Sequence, residues 1–282
     1  MKILFKKRCY IGEGPIWNKK ENRLYYTNGG GNELCIYDPA NDVLTVRPLP
    51  FSVAAYAFTK SNELIISHAG GVDILNSDDS LTPLYDKRLY DIKYCNDMKV
   101  GPDGRIYVGT QSGKRFGVSD KIDGKLYSID KNGNVRTLLD GLILSNGMEW
   151  SLDEKRLYHT DSDTNVIREY TFDKVSGDIE YTGRNITVLG VDGFTIGSNG
   201  YLYVACWGKG HIAVIDTRSL SIVGHIKLPA HIPSSCSFFG SDMDMLAITT
   251  ADYESDLSKD ENAGFTLLMK ADTTGRLPYL FG

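Results

Sequence analysis

Short apolar segments, bounded by polar turn residues, recur along the whole chain. They are rich in Leu, Ile, Val and Tyr, which favour strands, and most follow a turn such as Pro102-Asp103-Gly104 or Ser198-Asn199-Gly200. The six clearest copies, spaced 40 to 51 residues apart, are residues 23–27, 63–67, 105–109, 156–160, 201–205 and 245–249. A repeat of about 45 residues built from short strands is typical of β-propeller blades.

Each copy belongs to a longer repeat with four strand-like stretches. An apolar stretch precedes the copy, as in residues 14–17 and 147–150, and two more follow across polar turns. The chain is therefore predicted to be all-β, a six-bladed β-propeller with four antiparallel strands per blade and a single domain over residues 1–282. A β-sandwich would not explain six regularly spaced copies. The strand-like residues 2–9 are expected to complete the last blade beside residues 276–281.

Composition and charge narrow the function classes. The 282 residues are 41% hydrophobic and 24% charged, and the formal net charge of -5 without a basic run predicts no nucleic-acid partner. No stretch approaches about 20 apolar residues, so no membrane span is expected. The five cysteines are scattered and include no CxxC pair, and residues 1–10 lack the apolar core of a signal peptide. These features predict buried free thiols in a cytoplasmic protein.

Polar side chains occur where the first strand of each repeat begins. In a propeller these strands are innermost, so residues at their entrances converge although they are distant in sequence. The residues at the six entrances are Glu13, Tyr56, Asn96, Asn146, Asp192 and the pair Ser234-Ser235. Singly, Asn-Gly and Asp-Gly are common turns. Together, carboxylate and amide oxygens suit a hard cation, so we predict one bound divalent ion, Ca²⁺ ahead of Zn²⁺, Mn²⁺ or Mg²⁺.

Strings at these entrances, and one in the strand that follows Asn146, resemble those of a known family. They are Gly12-Glu13-Gly14-Pro15-Ile16-Trp17, Cys95-Asn96-Asp97-Met98-Lys99, Leu144-Ser145-Asn146-Gly147, Tyr158-His159-Thr160-Asp161-Ser162, Val191-Asp192-Gly193 and Ser234-Ser235-Cys236-Ser237. In this order they are similar to motifs of the SMP-30/gluconolactonase/luciferin-regenerating enzyme family. The resemblance implies a six-bladed propeller in which Glu13, Asn146 and Asp192 hold one divalent cation. It also implies that Asn96 contacts the substrate or a metal-bound water, and that the protein is a lactonase acting on a small lactone.

The chain departs from the family at Tyr94, where some sugar lactonases carry an arginine two residues before the asparagine. If Tyr94 and Asn96 alternate along one strand, both point to the same face and enter the pocket. A tyrosine offers an apolar ring and one hydroxyl, whereas an arginine would offer charged donors to sugar hydroxyls. We therefore expect Tyr94 to bind substrate, and a lactone less polar than D-glucono-1,5-lactone to be preferred.

Hydrolysis of a lactone requires an activated water. Asp192 is the candidate general base, because a carboxylate that binds a cation through one oxygen keeps a second oxygen for water. Asp97 either supports the site from behind or is a turn residue. Cys95 is expected to be a buried structural thiol, and the sequence has neither a Gly-x-Ser-x-Gly elbow nor a catalytic spacing of its five histidines.

Two alternatives on the same fold stay open at this point. One is a metal-dependent hydrolase of phosphoesters or organophosphates, which a substrate panel would separate from a lactonase. The other is a non-catalytic propeller, either one that binds calcium or one that serves as a platform for protein interactions. Such a platform has no need for the oxygen-rich strand entrances of this chain. The oligomeric state is not predicted.

Overall fold

Strands dominate the computed structural model, which describes residues 1–118 and 120–282. Over these residues there is no α-helix, and two short 3-10 helices span Gly113–Phe116 and Ser162–Thr164. No helix in the described part of the chain is long and apolar enough to cross a membrane. The strands form six sheets of four antiparallel strands each, which confirms the predicted six-bladed β-propeller.

The strand bounds follow in chain order. The chain starts with β1 (Lys2–Ile3). Blade one is β2 (Gly12–Asn18), β3 (Arg23–Asn28), β4 (Glu33–Asp38) and β5 (Val43–Pro48). Blade two is β6 (Ala55–Phe58), β7 (Leu64–His68), β8 (Gly71–Leu75) and β9 (Leu81–Pro83). Blade three is β10 (Cys95–Val100), β11 (Ile106–Thr110), β12 (Gly124–Ile129) and β13 (Val135–Leu142).

Blade four is β14 (Ser145–Trp150), β15 (Arg156–Asp161), β16 (Val166–Phe172) and β17 (Ile179–Thr187). Blade five is β18 (Val191–Ile196), β19 (Tyr201–Cys206), β20 (His211–Asp216) and β21 (Ser221–Lys227). Blade six is β22 (Pro233–Phe239), β23 (Met245–Thr250) and β24 (Leu267–Lys270), completed by β1.

The chain divides into two compact units. Unit 1 comprises Met1–Ser52 and Ile186–Pro278 and carries blades five, six and one. Unit 2 comprises Val53–Asn185 and Tyr279–Gly282 and carries blades two, three and four. Within each unit the first strands of neighbouring blades touch: β22 contacts β18 and β2, and β10 contacts β6 and β14. Residues on these first strands therefore lie beside those of the next blade.

The hairpins of blade one show how local sequence sets the strand pairing. Asn22, Asn32 and Asp42 each stand in a turn between two strands with φ of 52°. Asn and Asp tolerate this left-handed conformation better than other residues with a side chain. The turn residues therefore end one strand and start the next, and the register of the four strands follows.

Large apolar side chains fill the space between neighbouring sheets of each unit. In unit 1, the ring of Tyr203 packs edge-on against Phe238 with 5.3 Å between ring centroids. In unit 2, Tyr107 packs edge-on against Trp150 with 4.9 Å between centroids, and both are fully buried. Burial of a large apolar side chain stabilises the fold by about 1.5–3 kcal/mol. The two cores thus hold the blades of their own unit together.

The N-terminal strand completes the last blade, as predicted. Lys2 and Ile3 pair with Leu268 and Leu267 of β24. The predicted partner, residues 276–281, is wrong, because β24 already supplies the third strand of blade six. The end of the chain instead forms a parallel bridge between Phe281 and Thr59 in unit 2.

The five cysteines are buried free thiols, as predicted. They are Cys9, Cys35, Cys95, Cys206 and Cys236, and all of them lie in the described residues. The fold therefore rests on packing and strand pairing, with no disulfide among these five.

Candidate functional site

The first strands bulge where the site residues are predicted. In β10, β14 and β18, two residues stand opposite a single residue of the next strand. The first residue of each bulge is Asn96, Asn146 or Asp192. A bulge takes its extra residue out of the ladder and changes the direction of the side chain. The three predicted residues thus occupy the same position, each in its own blade.

Glu13 in β2 stands one residue before this position. It pairs with Thr27, and the bulge of β2 covers Gly14 and Pro15. Gly14 has φ of 54° there, which glycine adopts at no steric cost. The prediction that Glu13 occupies the same strand position as Asn96, Asn146 and Asp192 is therefore wrong by one residue. The side chain of Glu13 is one methylene longer than that of aspartate.

The two remaining entrances differ from each other. Ser234 lies in the bulge of β22, and its hydroxyl donates to the carbonyl of Gly12, next to Glu13. Tyr56 in β6 pairs with Ile66 in an unbroken register, is 1% exposed and packs edge-on against Phe58. Five first strands thus carry a bulge within the described chain, and Tyr56 is a core residue of blade two.

Close packing surrounds Asp192 in unit 1. A Cβ on the following residue, Gly193, would come 2.3 Å from the Ser235 hydroxyl, so only glycine lets β18 and β22 approach this closely. Asp192 is 5% exposed. Burial, with a smaller contribution from the charge of Asp192, raises the pKa of the nearby Cys206 thiol to about 11. A carboxylate enclosed in this way fits a divalent cation, because buried charges are paired or coordinate metals.

In unit 2, hydrogen bonds fix the amide of Asn96. Its amide nitrogen donates to the carbonyl of Ser145 (3.1 Å), and its amide oxygen accepts from Nε2 of Gln111 (3.2 Å). Asn146, next to Ser145, is 8% exposed. The side-chain amide of Asn96 is thus bonded to the backbone directly before Asn146. Sequence analysis named the two asparagines and missed Gln111 and Ser145, whose roles become visible only with the strand pairing.

Asp97 belongs to a charged cluster beside Asn96. The backbone N–H of Met98 donates to its Oδ1 (2.8 Å). Lys99 donates a hydrogen bond to Glu149 of the neighbouring blade, with 2.9 Å between Nζ and Oε2. Asp97 is partly exposed to solvent, and burial raises its pKa. The charge of Lys99 lowers this pKa, and the charge of Glu149 raises it. The cluster places Lys99 and Glu149 beside the bulge of β10, an arrangement that the sequence pattern did not reveal.

Tyr94 does not lie on the strand, so the predicted alternation with Asn96 is wrong. Strand β10 begins at Cys95, and Tyr94 precedes it with φ of 54°. The bulge at Asn96 also breaks the alternation of side chains. The ring of Tyr94 stacks on Phe116, with 4.9 Å between centroids and 29° between planes. This aromatic pair, which includes a half-exposed phenylalanine missed by sequence analysis, stands two residues from Asn96.

Cys95 is a structural thiol, as predicted. It is 5% exposed, and its Sγ donates to the carbonyl of Gly71 (3.7 Å). Burial raises the pKa of Cys95 to about 12, so the thiolate that nucleophilic chemistry needs is scarce near neutral pH.

Two histidine rings, those of His211 and His225, are in contact outside the predicted site. In unit 1, His211 packs edge-on against His225 with 4.6 Å between ring centroids, beside a cavity of about 730 Å³ that Lys227 and Asp260 also line. Nowhere in residues 1–118 and 120–282 do three His, Cys, Asp or Glu side chains group closely enough to hold a metal. The predicted ligand set is of a different kind, since it combines two carboxylates with an amide.

The fold and the bulge residues define a six-bladed β-propeller with amide and carboxylate side chains at the bulges of its first strands. Residues 11–252 match the model of the SMP-30/Gluconolactonase/LRE-like region, and the chain belongs to this family.

Relatives of this chain have nearly the same length. A Bacillus subtilis (strain 168) protein named "Putative sugar lactone lactonase YvrE" is 31% identical, over 97% of this chain and 96% of the relative. Pentonolactonase XacC of Haloferax volcanii is 27% identical, over 95% of this chain and 93% of the relative. The crystal structure of a calcium-binding protein, regucalcin from Agrobacterium tumefaciens, superposes with a TM-score of 0.88 at 23% identity, covering 99% and 96% of the two chains. This superposition supports the fold.

Proposed function

We propose that this protein is a lactonase that depends on one divalent cation, with Ca²⁺ as the expected metal. Glu13, Asn146 and Asp192 are its proposed ligands. The observation that carries the proposal is the repeated bulge, which presents an amide or a carboxylate at the same position of β14 and β18. The burial of Asn146 and Asp192 and the membership of the family support it.

The proposed chemistry assigns a role to each residue. When bound, the cation polarises the lactone carbonyl and lowers the pKa of a bound water. Asp192 would help to hold the cation and, as the proposed general base, would accept the proton from the attacking water. Asn96 orients the substrate, because its amide is already fixed by Ser145 and Gln111. The lactone opens to a hydroxy acid, and the proton held by Asp192 goes to the leaving ring oxygen.

The substrate is proposed to be a small lactone with fewer hydroxyls than D-glucono-1,5-lactone. The stacked rings of Tyr94 and Phe116 offer apolar surface near Asn96 instead of the charged donors of an arginine. A relative named a pentonolactonase supports a smaller sugar lactone as one candidate. The five buried free thiols support the proposal that the protein works in the reducing cytoplasm.

A second candidate function is calcium binding without catalysis. The solved structure of a calcium-binding regucalcin, which shares the fold, is the observation that favours it. Both functions require the same cation, so metal binding alone cannot separate them.

Metal analysis followed by a substrate panel tests the proposal. Purified protein is expected to hold about one divalent ion per chain and to acidify unbuffered lactone solutions as the acid forms. The panel includes gluconolactone, pentonolactones, apolar lactones and a phosphoester. Acid release only from the phosphoester would replace the lactonase assignment with a phosphoesterase, and metal binding without turnover of any substrate would favour the calcium-binding function.

A further inference from the structure

The segment before Asn146 is held by the carboxylate of Asp161. Asp161 is the last residue of β15 and is 3% exposed. Its Oδ2 accepts from the backbone N–H of Ile143 and its Oδ1 from that of Leu144, both at 2.9 Å. A buried carboxylate that accepts two backbone N–H groups fixes the chain that carries them, since each charge-assisted bond is about twice as strong as a neutral one.

The next residue, Ser145, is held by His159 of the same strand. Oγ of Ser145 lies 2.8 Å from Nε2 of His159, and both residues are at most 1% exposed. The hydroxyl sits against Gly109 of blade three, where a Cβ would come within 2.2 Å of Oγ. Burial lowers the pKa of His159 to about 3, so the ring is neutral at ordinary pH and the hydrogen bond does not change with protonation.

Ser145 connects this clamp, formed by His159 and Asp161, to the two candidate site asparagines, Asn96 and Asn146. Its carbonyl accepts the amide of Asn96 (3.1 Å), and its peptide bond leads directly to Asn146. His159 and Asp161 alternate to the same face of β15, while Thr160 between them faces the other way and donates to Val166 (2.9 Å). Two side chains of one strand thus fix three successive residues, 143–145, directly before the proposed metal ligand Asn146.

We infer that His159 and Asp161 are positioning residues, which hold the segment 143–145 so that Asn146 and Asn96 face the proposed site. This inference rests on the proposed function for its metal readout. Groups that orient a metal ligand typically change metal affinity by about 10–100-fold when they are lost. A purely structural role would lower the free energy of unfolding and leave the affinity of the folded protein unchanged.

Calcium titration calorimetry on folded variants measures the effect. Ser145→Ala and His159→Leu each remove the same hydrogen bond, so each is expected to raise the Kd for Ca²⁺ by about 10–100-fold, and the double variant by little more. Thr160→Val is the matched control, because it removes an equally buried hydroxyl from the opposite face of β15 and is expected to keep the wild-type Kd. Unchanged Kd values in the folded Ser145→Ala and His159→Leu proteins would overturn the inference. Ser145→Ala, the smaller change, keeps the test available if His159→Leu does not fold.

A second measurement needs no metal. Asp161→Asn replaces one acceptor oxygen with an NH₂ group, so one of the two backbone N–H groups loses its partner. In metal-free protein, amide hydrogen exchange at Ile143 and Leu144 is expected to accelerate in this variant and to stay unchanged in Thr160→Val. Equal protection in Asp161→Asn and wild type would refute the clamp. If wild-type protein binds no Ca²⁺, calcium is excluded as the metal of the proposed function, and the exchange data still decide whether the clamp exists.

Discussion

Acid should weaken the folded state through His159. This residue is buried and lies next to Arg168 in the adjacent strand, and burial, followed by the charge of Arg168, lowers the pKa of His159 from 6.5 to about 3. The unfolded chain binds a proton at this side chain below pH 6.5, whereas the folded protein does not until about pH 3. The contribution to stability is therefore intact above pH 6.5 and is lost as the pH falls towards 3.

The size of the effect follows from the number of protons bound. One proton taken up only by the unfolded state lowers the free energy of unfolding by about 1.4 kcal/mol for each pH unit. Between about pH 6.5 and about pH 4.5 the loss is therefore about 3 kcal/mol. Such a loss is large against a typical total of about 5–15 kcal/mol.

Urea unfolding at several pH values compares wild type with His159→Gln, which keeps a polar partner for Ser145 and cannot titrate. The variant should start with a lower free energy of unfolding near neutral pH and lose about 3 kcal/mol less than wild type on acidification to about pH 4.5. Other titrating groups, such as Asp97, are common to both proteins and cancel in the difference. His231→Gln, at an exposed histidine, should keep the wild-type slope. Parallel pH profiles for wild type and His159→Gln would show that His159 does not cause the loss of stability in acid.

Three further predictions concern the site itself. Asp192→Asn should lower kcat for lactone opening by about 10²–10⁴-fold, because a ligand charge and the proposed base are lost together. The exposed control Asp242→Asn should keep wild-type rates, and a loss of less than about tenfold in Asp192→Asn would exclude the base role. Glu13→Gln should weaken metal affinity, with activity partly regained in excess metal; an unchanged Kd in calorimetry would remove Glu13 from the ligand set. D-glucono-1,5-lactone should not have the highest kcat/KM of a lactone panel, and Tyr94→Phe should alter the ranking while metal content stays constant; gluconolactone ranking first in both proteins would deny Tyr94 a part in specificity.

The fold was predictable because one pattern is repeated six times. The segments 23–27 and 105–109 became β3 and β11, the second strands of their blades, and the polar turns before them became the hairpins. The predicted pairing of residues 2–9 with residues 276–281 was wrong. The repeat pattern shows that blade six needs a further strand, and it does not show which segment of the chain pairs with the N-terminal strand. The choice of β24 depends on contacts between residues about 265 positions apart in the chain.

The candidate site was predictable in its residues and less so in its geometry. Asn96, Asn146 and Asp192 were found from their place in the repeat, and the structure puts them at one bulge position. The bulges themselves were not predicted, because an inserted residue leaves no mark in a pattern of apolar segments. For the same reason Tyr94 was assigned to the face of a strand that begins only at Cys95.

The rate of lactone ring opening, followed as Ca²⁺ is added back to metal-stripped protein, is the decisive measurement of cation-dependent catalysis. Almost no turnover is expected after chelation, then a rate that rises in proportion to bound Ca²⁺ and levels off at about one equivalent per chain. Full lactone turnover by the exhaustively chelated protein would contradict this dependence.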